Sequence, residues 1–182
     1  MSNVRRRLQE KLCRELGQAE YDAIRHTTRE ADKLGDVDPS RKLRAIAAHA
    51  EHLRPRLSRL VRHQQPFGWR LARIVGELFS TTRHFAVDRV LSAERSYRGT
   101  LLGLHHGLDV AYLLRDVSRR EDNVRLHRFC DDLIAERDVL LREAERALVW
   151  FADHPETAVT SGAKLALAPA SKPSRGIALQ TV

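Results

Sequence analysis

With 182 residues, 42% apolar and 31% charged, the chain suits one soluble, globular domain with an ordinary core and is too rich in apolar residues to be disordered. Thirty-two Lys and Arg against 24 Asp and Glu leave a net charge of +8, and only five of the basic residues are lysine. A GC-rich coding bias gives such a composition, and so does a polyanion partner. Acids are interspersed with the arginines, no dense basic run follows Arg5-Arg6-Arg7 and aromatics make up 5%, so nucleic acid is not the favoured partner.

The N-terminal "MSNVRRRLQEKL" has no apolar signal core behind its basic residues, and "LLGLHHGLDVAYLL" is broken by two histidines and an aspartate. Neither a signal peptide nor a membrane span is expected, and the cytoplasm is the expected location. Cys13 and Cys130 make neither a disulfide framework nor a paired zinc motif, and they read as buried thiols.

The predicted elements are all helical. Leu8, Leu12, Leu16, Ala19, Ala23, Thr27, Ala31 and Leu34 recur every three or four residues and predict a first helix from about 4 to 34. "GDVDPS" ends it and opens a second, from about 39 to 63, through the glycine stop and the Asp38-Pro39 start. Pro55 inside the second helix predicts a kink or an unpaired carbonyl. Residues 67–117 contain no proline, yet one helix there would be about 75 Å long. Its two apolar stripes, Phe67 to Phe85 and Val90 to Tyr112, are turned by roughly 160° from each other on an ideal helix. The reading is a connecting helix over 67–86, then a third long helix over 89–117 with Val90, Glu94, Leu101, Leu108 and Tyr112 inward. A fourth is predicted over 121–153, burying Leu126, Phe129, Leu133, Leu140, Ala144, Ala147 and Phe151. Residues 155–182, rich in Ala, Ser, Gly and Pro, read as a flexible tail that could dock on a protein partner.

The short loops make each hairpin antiparallel, and the long segment between hairpins lets the second and third helices run parallel. Gly99, Gly103 and Gly107, preceded by Ser92 and Ser96, form a ridge without side chains. It is read as room for a closely packed helix or a second subunit. On the inward stripes, Glu94 and His105 of the third helix join Glu20 and Glu30 of the first, with Arg98 and Arg137 as cationic partners. A carboxylate buried alone is costly, so these acids must pair or hold a cation. A buried Glu–Arg network that sets helix register comes first; a metal site and a small-ligand pocket follow.

This layout and the two glutamates resemble, remotely, the ferritin-like four-helix bundles, whose carboxylate-bridged di-iron centre uses a single Glu from two helices and Glu-x-x-His from the others. The resemblance covers residues 5–154. It implies an all-α, ferritin-like four-helix bundle with a helical crossover, and puts Glu20 and Glu94 at the positions of the single glutamates. Glu51 stands on the second helix, but the residue three later is Arg54. On the fourth, His127 or Glu136 would serve, with His105 or His49 as substitutes. No Glu-x-x-His occurs in the chain.

Four histidines have an acid four residues later: His26/Glu30, His84/Asp88, His105/Asp109 and His127/Asp131. This is similar to hemerythrin-type bundles, but no His-x-x-x-His accompanies it. No nucleophile elbow, P-loop or His-Glu-x-x-His motif is present either. The expected function is a self-associating helical bundle with a structural or protein-interaction role. The alternatives are a non-heme iron or manganese protein using Glu20, Glu51, Glu94, His105 and His127, and polyanion binding through an arginine-rich surface.

Overall fold

The computed structural model describes residues 3–62 (backbone alone at Arg62), 91–161 and 165. Among these the architecture is all-α: α1 spans Asn3–Leu34, α2 Asp38–Arg62, α3 Ala93–Arg120 and α4 Val124–Arg146, followed by the short helices α5, Val149–Asp153, and α6, Pro155–Val159. None of the described helices is long and apolar enough to cross a membrane. The connecting helix predicted over 67–86 lies outside the described residues.

The turns account for the helix boundaries. After α1, Gly35 takes φ +78°, the left-handed conformation that ends a helix at little steric cost. The Ser40 hydroxyl then closes the turn, donating to the Gly35 and Val37 carbonyls and accepting from the Val37 N–H at 3.1 Å. Pro39 sits in the first turn of α2, where its missing N–H costs nothing. Between α3 and α4 Asp122 takes φ 54°, and the Asn123 side chain caps α4 by accepting from the Leu126 N–H at 3.3 Å. Helix α2 continues through Pro55 to Arg62.

Contacts across the bundle set direction and neighbours. Glu30 of α1 meets Ser96 of α3, and Arg5 meets Glu121, so α1 and α3 are antiparallel. Lys42 meets Glu143 and Arg56 meets Asp132, so α2 and α4 are antiparallel as well. Each helix thus packs between two antiparallel neighbours, while α1 and α4 face each other across the diagonal, as do α2 and α3. Helix α2 ends at one end of the bundle and α3 begins at the other.

The core runs through all four long helices, with Leu16, Leu43, Ile46, Tyr97, Leu114, Phe129 and Leu133 buried at 0–1% exposure. The inward face of α3 differs from expectation. It is Tyr97, Leu101, Leu104, Leu108 and Ala111, with Tyr112 at 40% exposure and the His105 side chain at 47%. Leu101 and Leu108 belong to both patterns. The helix turns toward Tyr97, Leu104 and Ala111 because it must fill the seam between α1 and α4 at once.

The predicted fourth helix is interrupted after Arg146, and α5 resumes at Val149. Tyr97 donates its hydroxyl to the Ala144 carbonyl at 2.8 Å, next to this break, and its ring packs on Phe151, centroids 5.4 Å apart. Residues 155–161, predicted as the start of a tail, include α6, which packs on α3; Ser161 bridges to Ser92, and the Ala93 N–H donates to the Thr160 carbonyl at 2.9 Å. Most of the predicted tail lies outside the described residues.

Among the described residues, Gly107 is the one glycine of the ridge that meets another helix. A Cβ there would lie 3.4 Å from the Ala19 Cβ, whereas at Gly99 and Gly103 no described atom comes within 4 Å. Gly99→Ala and Gly103→Ala should therefore each stabilise the fold by about 0.5–1 kcal/mol, since alanine loses less conformational freedom in a helix. Gly107→Leu should cost about 1–3 kcal/mol by forcing α1 and α3 apart. Urea unfolding of the three variants in dilute solution checks the contrast.

Candidate functional site

At the middle of the bundle α1, α2 and α4 each bring one polar group to the axis. Glu20 follows Leu12 and Leu16 on the inward stripe of α1, Arg137 follows Leu133 on α4, and His49 follows Ile46 on α2. All three are buried, at 4%, 2% and 8% exposure. The Arg137 guanidinium donates twice to the Glu20 carboxylate, Nη1 to Oε1 at 3.1 Å and Nη2 to Oε2 at 2.8 Å. Its Nε donates to His49 Nδ1 at 3.1 Å. This bidentate geometry uses the planar fork of arginine, which lysine could not reproduce.

Because Nδ1 of His49 accepts, the ring proton belongs on Nε2. Nε2 lies 3.1 Å from Glu136 Oε2 without forming a hydrogen bond to it, and among the described residues no other group partners it. Burial lowers the His49 pKa below its ordinary 6.5, and the Arg137 charge lowers it further, while Glu136 acts weakly the other way. The imidazole is thereby held neutral, as an acceptor for the guanidinium.

The predicted metal candidates are not brought together. Glu20 has both oxygens taken by Arg137. Glu51 is exposed on α2. Glu94 is a third exposed at its side chain and pairs with Arg98 one turn along α3, instead of facing the axis. His105 reaches outward to Glu145 at 2.7 Å, and His127 pairs with Asp131 at 3.3 Å on the bundle flank. The substitute candidates fare alike: Glu136 is exposed and His49 serves Arg137. Among the described residues no three His, Cys, Asp or Glu side chains form a group able to hold a metal ion. A guanidinium stands beside Glu20 where a di-metal centre would need a cation, so these residues do not fit such a centre.

A second polar cluster lies nearer the end where α1 finishes. Glu30, at 3% exposure, accepts from the Ser96 hydroxyl at 2.7 Å and pairs with Lys33 at 3.0 Å. Sequence reasoning placed Glu30 inward but missed Ser96, whose place beside the glycines of α3 marked it for helix contact only. Glu30 and Ser96 border a cleft of about 480 Å³ between α1 and α3, lined further by Ala23, Thr27, Gly99, Leu102, Gly103 and Leu104. The two cysteines are buried within the core, and burial pushes both thiols up to about 12, which leaves them protonated and unreactive at neutral pH.

Comparison with protein-family models, with curated proteins and with solved structures finds no match to this chain.

The axial network has two consequences that can be measured. Glu20→Ala strands a buried guanidinium and should cost about 3–5 kcal/mol, whereas Glu20→Leu combined with Arg137→Met, which removes both charges, should recover most of that loss; denaturant unfolding of both variants decides it. Because the folded state disfavours the His49 proton, the unfolded chain binds more protons below about pH 6.5. The contribution of His49 is complete above that pH and is lost progressively as the pH falls below it. His49→Gln should flatten the stability difference between pH 7.5 and pH 5.5, read by urea unfolding at each pH.

Proposed function

We propose that the chain is a ferritin-like helical bundle in layout, with an interaction role that begins with association to a second copy of itself through α3. The layout is supported by four antiparallel neighbouring pairs and by the start of α3 at the opposite end from the close of α2, the connectivity of two hairpins with a crossover. A structural use of the inward acids is supported by their partners: Arg137 takes both oxygens of Glu20, and Ser96 and Lys33 hold Oε2 of Glu30.

One observation carries the interaction reading. Leu102 is 72% exposed on α3 and stands beside Gly99 and Gly103, which no described atom approaches within 4 Å. A protruding leucine next to a notch on the same helix is self-complementary. In a two-fold contact the leucine of each copy enters the notch of the other, which an isologous interface requires. Leu113, 49% exposed, stands three turns further along the same face, beyond His106 and Asp109.

Sedimentation equilibrium of the wild type should show a concentration-dependent dimer. Leu102→Glu and Gly103→Leu should each weaken it by about tenfold or more (about 1.4 kcal/mol), with the helical content of the monomer unchanged. A wild type that stays monomeric, or variants that associate as it does, would overturn the interface. Stoichiometric iron or manganese in the purified protein, lost in Glu20→Gln, would replace the structural reading of the core with a metal centre.

A further inference from the structure

Charge is distributed unevenly along the bundle. At the end where α1 and α4 begin and α2 and α3 finish, residues 3–14, 53–61 and 114–132 hold thirteen Arg and Lys against six Asp and Glu. At the opposite end residues 21–48, 93–104 and 138–161 hold ten against eleven. Twelve of the thirteen basic residues at the first end are arginine.

Pairing differs between the ends as well. At the balanced end Arg41, Arg44, Arg98 and Arg142 reach Asp36, Asp32, Glu94 and Asp138, and three arginines, Arg25, Arg95 and Arg146, have no ion-pair partner among the described residues. At the basic end Arg7, Arg59, Arg119 and Arg128, one from each long helix, are exposed and have no ion-pair partner among the described residues. The contacts Arg5–Glu121, Arg56–Asp132 and Arg115–Asp131 put these four arginines at one level. They encircle the end of the bundle.

We propose that this end is a docking surface for the phosphate backbone of nucleic acid, read without regard to base sequence. Four unpaired guanidiniums on a rigid frame supply the positive potential, and each can grip phosphate oxygens bidentately. The three segments contain one aromatic residue, Phe129, which is buried beneath Arg56, so stacking on bases is not the mode of contact. A planar anionic membrane fits less well. The apolar side chains exposed there, Val4, Leu8 and Val124, are separated by charged residues. The positive surface also continues through Arg14 and Arg54 roughly 8–10 Å back along the flanks. A strand that bends around the end or lies along it reaches all of these groups. This surface does not involve the α3 contact proposed above, and the two stand or fall separately.

The test uses the full chain and fluorescence anisotropy with a short DNA duplex of random sequence, an RNA duplex of equal length, and vesicles of phosphatidylcholine with phosphatidylserine. Both duplexes should bind, with log affinity falling linearly in log salt by about 0.9 for each phosphate contact. Arg7→Glu/Arg119→Glu/Arg128→Glu should lower duplex affinity by about tenfold or more and reduce the salt slope. Arg25→Glu/Arg95→Glu/Arg146→Glu, an equal charge change at the opposite end, should leave affinity within about threefold. Circular dichroism verifies that both variants fold; if the first does not, the three single Arg→Gln variants should each weaken binding. Absence of duplex binding near about 50 mM salt, equal losses in the two triple variants, or binding to vesicles without binding to either duplex would overturn the proposal.

Discussion

The bond between Arg137 and Glu20 is the constraint on which the rest of the bundle depends. Taking a guanidinium and a carboxylate out of water costs several kcal/mol for each, and only a paired, well-aligned geometry offsets that cost. The two residues lie on helices that face each other across the diagonal and share no broad packing seam. A slip of one residue in either helix would rotate its charge by about 100° and leave both ions stranded. Apolar packing tolerates small shifts of register far better than this pair does. His49 adds a third helix to the constraint by accepting the Nε–H of Arg137.

The same bond determines what the core can do. With Glu20 committed to arginine and His49 held neutral as an acceptor, the centre of the bundle is a closed polar knot. The charges on the outside follow a different logic. There the antiparallel arrangement has a consequence that no single helix shows. Arginines at the start of α1 and α4 and at the finish of α2 and α3 collect at one end, because alternate helices run in opposite directions. Along the chain those same residues look evenly interspersed with acids.

Parts of this were readable from sequence. The stripe from Leu12 to Leu34 located α1, and Gly35 with Asp38-Pro39 located the turn after it, since period and turn chemistry are local properties. The inward placement of Glu20, Glu30 and Arg137 followed from the same period. On α3 the reading failed because its apolar residues admit two faces, one through Glu94, Leu101, Leu108 and Tyr112 and one through Tyr97, Leu104 and Ala111. A helix that contacts two neighbours buries a broad face centred between them, and only those neighbours choose the centre. The break after Arg146 was hidden for a related reason. Ala147 and Phe151 remain buried, so apolar spacing continues while the backbone does not.

The amino-acid order alone thus settled the helical class, the reading of the cysteines as buried thiols and the principle that inward acids need cations. Each of these follows from neighbours within a turn or two, or from the chemistry of the residue itself. Which cation meets which acid was beyond its reach: Arg137 and Glu20 are 117 positions apart, and Ser96 and Glu30 are 66. Such pairs come together only when four helices choose a common rotation and register, and that choice is made by the packing of all of them at once.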